Sequence, residues 1–299
     1  MKRLTIVILI LIVKITISPL SACDQCGCSV AGSYNNVTAY AHNNYIMFKA
    51  GYYKFSTGTA TSKLHSEMFS VDAIVGYNIT NRLHILAFVP YRLNQFSGED
   101  NTYTVNGFGD MGLLGNYVVA TNRDNMMAKY TYSLTVKAGV ELPTGKFIDD
   151  YRALGVPANL SAGSKTFDGI TGLRYIYKRK STTLIGDFTF KYNPENEANY
   201  RFGNQHTATI LAAQRFMQSK TVLTPYVGVT GELDGTDLYH EIEQHGTSGE
   251  TVLLNSGIEL GFGDYIAGIT ADFPLYGNFG EEAKSSPRFS LRFAYMLND

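Results

Sequence analysis

The sequence predicts an all-β protein: a transmembrane antiparallel up-and-down β-barrel of about twelve strands, with short periplasmic turns and long extracellular loops. Three observations carry this. Residues 130–142 place an apolar or aromatic side chain at every even position and a polar residue or Gly at every odd one. Successive side chains of a strand point to opposite faces. Tyr130, Tyr132, Leu134, Val136, Ala138, Val140 and Leu142 therefore form one stripe, and Lys137 and Glu141 lie on the other. The run outlasts the roughly 5–6 residues of a soluble strand and suits the roughly 9–11 tilted residues that cross a bilayer.

The second observation is that connections alternate in length. Short turns fall near residues 81, 121–125, 178–181, 218–221 and 263–264, and longer polar loops near 56–65, 94–106, 143–165, 194–200, 234–249 and 277–286. Outer-membrane barrels have short periplasmic turns and longer extracellular loops. The third is composition. Hydrophobic content is 44% and mean hydropathy −0.09, and after residue 22 no apolar run reaches the roughly 20 residues of a spanning helix. Gly 29, Tyr 21 and Trp 0 suit strands, turns and interfacial rings.

The same parity test locates the strands in order. Segment one, near 44–55, is blurred. Segment two offers Phe69, Val71, Ala73, Val75, Tyr77 and Ile79 outward; segment three offers Leu83, Ile85, Ala87, Val89 and Tyr91, against Arg82, His84 and Arg92. Segment four offers Met111, Leu113, Tyr117 and Val119, and segment five is the run above. Segment six offers Phe167, Thr171, Leu173, Tyr175 and Tyr177, and segment seven Leu184, Phe188, Phe190 and Tyr192. Segments eight (202–216) and nine (222–233) are blurred. The last three carry Val252, Leu254, Ile258, Leu260 and Phe262; Tyr265, Ala267, Ile269, Ala271 and Phe273; and Phe289, Leu291, Phe293, Tyr295 and Leu297. Tyr77, Tyr117, Tyr130, Tyr132, Tyr175, Tyr177, Tyr265 and Tyr295 then mark the periplasmic boundary, and Tyr52, Tyr91, Phe190, Tyr192 and Phe273 the outer one. A soluble antiparallel sandwich also alternates; strand length, loop asymmetry and the two belts favour the barrel.

Residues 1–22 read as a signal peptide, with Lys2 and Arg3 at the basic end, an apolar core, and Ser21-Ala22 before the cut. Residues 23–41 form a periplasmic Cys-containing segment and 42–299 the barrel. Loss of Lys2, Arg3 and Lys14 from 25 basic residues leaves 22 against 26 acidic ones, a net charge of about −4 that does not suggest a nucleic-acid partner.

The water-facing parity carries Asp72, His84, Asp110, Lys137, Glu141, Arg174, Asp187, Lys191, Glu232, Glu259, Asp272, Arg288 and Arg292. These are the expected lumen-lining residues. Two readings stand side by side: a salt-bridge network closing a narrow lumen, or a polar path whose charge pairs set a selectivity field.

At 107–117 (Gly-Phe-Gly-Asp-Met-Gly-Leu-Leu-Gly-Asn-Tyr) and 138–146 (Ala-Gly-Val-Glu-Leu-Pro-Thr-Gly-Lys) the chain resembles a known family. It is similar to the outer-membrane transporter-like barrels labelled phenol-degradation meta-pathway proteins, in the form found in Bacteroidetes. Stretches 166–169, 200–204 and 272–276 and the Cys-x-x-Cys-Gly-Cys start fit the same pattern. The resemblance implies uptake or export without fixing a substrate. From the residues themselves, Gly107 and Gly109 permit a sharp entry from loop to strand, and Pro143-Thr144-Gly145 ends strand five by turn chemistry. Gly145-Lys146 is no phosphate loop: Gly139 is misplaced by one residue and Phe147 stands where Ser or Thr is needed.

Cys23, Cys26 and Cys28 are the only cysteines, and three readings compete. Leu20-Ser21-Ala22-Cys23 has the form of a lipoprotein cleavage box, which would acylate Cys23. Cys23 and Cys26 could close a disulfide in an oxidising periplasm. Thiolates such as Cys26 and Cys28 could hold a soft metal. His240 and His245 lie five apart in a predicted loop, outside the i, i+4 spacing of a zinc-protease helix. No nucleophile, base and orienting group come together, so no enzyme and no cofactor are expected.

The reading is a barrel that passes a small solute across the Gram-negative outer membrane, with loop 143–165 folding in as a constriction. Its partners are outer-membrane lipid, the solute and a periplasmic protein. The alternative is a sealed barrel acting as a binding, adhesion or metal-handling module through its loops or its cysteines.

Overall fold

The computed structural model describes residues 43–59, 62–97, 102–125, 127–149, 158–244, 246–278 and 284–297. Twelve antiparallel strands form one closed sheet. They are β1 (Asn44–Thr59), β2 (Ser62–Asn78), β3 (Leu83–Ser97), β4 in two segments (Thr102–Phe108 and Met111–Thr121), β5 (Thr131–Leu142) and β6 (Asp168–Arg179). There follow β7 (Thr182–Tyr192), β8 (Gln205–Gln214, continued by Phe216–Gln218), β9 (Thr221–Asp234), β10 (Gly249–Phe262), β11 (Tyr265–Asn278) and β12 (Lys284–Ser285, continued by Arg288–Leu297). Each strand pairs with the next, and β1 closes on β12 from Asn44↔Leu297 to Tyr52↔Phe289. Closure leaves no free edge, as a sheet in hydrocarbon requires. No described helix is long and apolar enough to cross a membrane.

The alternation seen in the sequence becomes an inside and an outside. Along β3, Leu86 and Phe88 are buried while Ala87 and Tyr91 are exposed. Val136 is 37% exposed on the outer face, so the stripe of β5 is not sandwiched between two layers. Paired rings ring the short-turn end: Tyr130 and Tyr177 have centroids 5.5 Å apart, and Tyr265 and Tyr295 5.1 Å. At the other end Tyr91 meets Phe108 edge-on at 5.5 Å. A closed barrel with an apolar outer wall between two aromatic belts is the architecture of a Gram-negative outer-membrane protein.

Two expectations are corrected. Loops expected at 56–65 and 94–106 are largely strand: the β1–β2 ladder runs to Thr59↔Ser62, and β3 pairs β4 as far as Ser97↔Thr102; strand also enters the one expected at 277–286, at Asn278 and at Lys284–Ser285. Along 95–106 the outward side chains turn polar, with Gln95, Thr102, Thr104 and Asn106 exposed, so the apolar stripe disappears while the backbone ladder persists. The long connections are 143–167, 193–204 and 235–248. The last two are joined by a small sheet of Tyr200–Arg201, Leu238–Tyr239 and Ile242–Glu243.

The second correction is that the inward face is not polar throughout. Near the short-turn end Tyr45, Met47, Ile74, Leu86, Phe88, Leu114 and Met296 pack together inside the barrel, and Ile185, Leu211, Ala213 and Tyr226 form a second cluster. This floor explains the blurred segments. In β1 the outward Ile46 and Phe48 alternate with inward Tyr45 and Met47, and in β8 the outward Ile210, 73% exposed, precedes buried Leu211. With both faces apolar, hydropathy carries no parity.

Candidate functional site: the barrel interior

Above the floor the interior is charged. On the β5–β7 side, Lys137 Nζ donates to Asp187 Oδ1 at 2.6 Å and to Thr189 Oγ1 at 2.6 Å, and Arg174 Nε donates to Asp187 Oδ2 at 2.6 Å. Nearby, Lys191 Nζ lies 2.7 Å from Glu141 Oε2 and 3.1 Å from Asp168 Oδ2. On the opposite side Arg92 pairs with Asp72 at 2.5 Å, and Arg288 holds Glu232 through both terminal nitrogens at 3.0 and 2.9 Å. Arg292 reaches Glu259 at 3.2 Å and Tyr226 Oη at 2.6 Å. Buried ions of this kind are tolerated because each has an opposite charge or a hydrogen-bond partner at contact distance.

These contacts leap across strands, and missing side chains let them. Lys137, Gly172 and Thr189 form one row across β5, β6 and β7. A Cβ on Gly172 would sit 2.8 Å from Lys137 Cε. Tyr226, Gly257 and Thr270 repeat the arrangement across β9, β10 and β11: the ring lies over Gly257 and its hydroxyl meets Thr270 Oγ1. Arg292, Gly268 and Glu259 repeat it once more across β12, β11 and β10. Inward glycines thus turn neighbour-to-neighbour pairing into a network that spans three strands.

The fill is uneven. On the side of β1, β2 and β8–β12 a cavity of about 130 Å³ remains, lined among others by Lys49, Asp72, Thr230, Glu232, Asn255, Asp272, Arg288 and Arg292. Thr209 and Thr230 hydroxyls lie 2.9 Å apart, Thr230 donates to Asn255 Oδ1 at 2.7 Å, and Asn255 Nδ2 donates to Asp272 Oδ1 at 2.8 Å.

The outer mouth is narrowed by the loop after β5. Its short 3-10 turn, Ala158–Leu160, drops Leu160 against the inward side chains Met68 and Phe96, and Asn94 Nδ2 donates to the Leu160 carbonyl at 3.0 Å. Asp110 holds this loop. It sits in the break of β4, where Oδ1 accepts the Gly145 N–H at 2.8 Å and Oδ2 accepts the Ser164 N–H at 2.6 Å and its hydroxyl at 2.8 Å. Farther out, Phe147, Ala158 and Tyr200 pack with Phe202 and Tyr239. Asp237 fastens the cap: it accepts the Tyr200 hydroxyl at 2.5 Å and the Gly203 N–H at 2.7 Å. Burial pushes its carboxyl up to about 6, against the opposing pull of those two hydrogen bonds.

Of the residues singled out in the sequence, Asp72, Lys137, Glu141, Arg174, Asp187, Lys191, Glu232, Glu259, Asp272, Arg288 and Arg292 stand on the inner wall in the contacts above. His84 is also inward but lies in the floor, its ring stacked on Tyr45 at 5.9 Å. Asp110 is buried at the mouth, its carboxylate accepting from Gly145 and Ser164 of the loop. The sequence reading missed Lys49 and Asp168. Lys49 lies in the blurred first strand, and its alignment with Asp72 and Arg292 in the flanking strands is visible only once register is known. Asp168 opens β6 beside the loop, where parity has just begun. Cys23, Cys26, Cys28 and His245 lie outside the described residues, and His240 packs edge-on to Tyr239 in the cap.

The fold and interior define the class: an outer-membrane β-barrel with a charge-paired interior and a loop folded into its mouth. The chain belongs to the family described as "Putative MetA-pathway of phenol degradation", which matches residues 87–293. A comparison with curated proteins finds no match. Among solved structures the barrel is similar to the COG4313 outer membrane channel from Pseudomonas putida F1, with TM-score 0.61 and 17% identity over 88% of this chain and 98% of that one. It is more distantly similar to the β domain of the Bordetella autotransporter BrkA (TM-score 0.49, 10% identity, 85% and 100% coverage). The translocator domain of the autotransporter NalP from Neisseria meningitidis gives TM-score 0.47 at 8% identity, with 91% and 93% coverage.

Proposed function

We propose that this barrel passes a small solute across the outer membrane, through the eccentric polar cavity and beneath the loop that Asp110 anchors. The observation that carries the reading is the cavity itself. Ion pairs line the β5–β7 side, and among polar residues on the β8–β12 side about 130 Å³ is open. A solute moving there trades water for side-chain hydrogen bonds rather than for hydrocarbon. The fold shared with a channel supports the same reading. The residues we assign to the path are those of the cavity wall, and no chemical step is asked of any of them. Swelling of proteoliposomes in isosmotic small solutes tests it: swelling above that of protein-free vesicles is expected, and none contradicts it.

A sealed barrel that binds through its loops is favoured by one observation, the apolar floor around Met47, Ile74 and Phe88. On that reading, vesicles do not swell even after the loop is released. We further propose from the sequence that the mature chain begins at an acylated Cys23, on the side where a periplasmic partner would meet the barrel. The mass of the mature amino terminus separates a lipid on Cys23 from a disulfide or free thiols.

A further inference from the structure

We infer that the barrel interior favours net-neutral, hydroxyl-bearing small molecules, polyols by class, over ions of either sign. This rests on the conduit reading above and deepens it by naming the solute class.

The cavity wall carries three cations, Lys49, Arg288 and Arg292, and three carboxylates, Asp72, Glu232 and Asp272. None acts as an isolated charge. Arg288 grips Glu232 with both nitrogens, Arg92 covers Asp72, and Arg292 turns to Glu259. Asp272 accepts the Asn255 amide, and Lys49 stands opposite Asp72 in the β1–β2 ladder. The filled side is balanced in the same way, with Lys137, Arg174 and Lys191 against Glu141, Asp168 and Asp187.

Opposite charges held in contact leave the cavity wall with no net sign, so it attracts neither cations nor anions as a class. An ion entering this space gives up hydration and finds no net field to replace it. A polyol loses less. Along the wall, hydroxyl and amide groups alternate as donors and acceptors in the chain Thr209, Thr230, Asn255 and Asp272. Groups that bond to one another here can exchange those bonds for a solute's hydroxyls at nearly constant count.

The test uses the purified full-length protein in planar bilayers under a potassium chloride gradient, with erythritol swelling of proteoliposomes in parallel. The chloride-to-potassium permeability ratio is expected within about twofold of one, and the vesicles are expected to swell in erythritol. Glu232→Gln, which uncovers Arg288, is expected to move the ratio toward chloride by about threefold or more, and Arg288→Gln to move it toward potassium. The double substitution returns it toward one. A wild-type ratio outside the stated range, or current without erythritol swelling, overturns the inference while leaving the conduit standing. Neither current nor swelling overturns the conduit and this inference with it. Because the wild-type ratio and swelling decide the matter, a variant that does not fold leaves the test intact.

Discussion

Lys137 on β5 bonds to Asp187 on β7 at 2.6 Å, although a whole strand, β6, lies between them. The bridge exists because Gly172 occupies the intervening position in the row and leaves the lysine stem its path. Asp187 is also the partner of Arg174, so one carboxylate holds two cations from two strands. Asp187→Asn leaves buried Lys137 and half-buried Arg174 facing a neutral amide. Loss of about 3–5 kcal/mol is expected, read as a lower urea midpoint in detergent. Gly172→Ala is expected to disturb the same row, since its methyl group would run into the Phe188 carbonyl oxygen of β7 as well as falling 2.8 Å from Lys137 Cε. An unchanged midpoint in Asp187→Asn removes the network from the stability of the barrel.

On the outer wall the sign of a substitution depends on parity alone. Val136→Lys puts a charge on the lipid face near mid-strand, at a cost of roughly 2–4 kcal/mol near the bilayer midplane. The neighbouring position already carries a lysine, which the interior accommodates. Refolding into lipid vesicles, followed by gel mobility with and without heating, reads the difference. Refolding of Val136→Lys as efficient as the parent contradicts the facing of β5.

Loop 143–167 is held where Asp110 receives two N–H groups and a hydroxyl. Asp110→Ala leaves the buried Ser164 donors and the half-buried Gly145 N–H without that acceptor, at about 1–3 kcal/mol for a buried unsatisfied group. The loop is expected to become a protease target between residues 143 and 167 while the strands stay protected. Solute flux through the barrel should rise. A protease pattern identical to the parent's removes Asp110 from the loop's support.

The cap should tighten in acid. The Asp237 carboxyl is pushed up to about 6 from an ordinary value of 3.8, so the folded cap holds a proton more firmly than the open one. Its contribution is therefore fully present below about pH 4 and is lost as pH rises through about 6. Hydrogen exchange of Tyr200, Gly203 and Asp237 amides is expected to be slower, after correction for intrinsic rates, at pH 5 than at pH 7. Asp237→Asn should abolish that difference. A cap that loosens as pH falls contradicts the assignment.

How much of this was legible in the sequence follows from where a chemical signal exists. Where one face meets lipid and the other the charged interior, as in β5 with Val136 against Lys137, two-residue periodicity reveals both the strand and its facing. It fails in β1 and β8, because inward Met47 and Leu211 are as apolar as outward Phe48 and Ile210. It fails again at 56–59 and 62–65, whose sequence carries no apolar alternation although the ladder continues. Most of the inner charges could be recognised by parity. Their partners could not, since Lys137–Asp187 and Arg288–Glu232 are separated by tens of residues and joined only by register. The role of Asp110 was hidden for a related reason: a strand break turns its side chain to the loop, and nothing in parity marks a break.

The measurement that tests the central claim most directly is single-channel recording of the purified protein in planar bilayers with equal salt on both sides. The account predicts discrete unit currents for the parent and larger ones for Asp110→Ala, as the loop leaves the outer mouth. Folded, inserted protein that gives no steady current in either form, and no swelling of proteoliposomes in small solutes, contradicts it, and would make the apolar floor around Met47, Ile74 and Phe88 a seal.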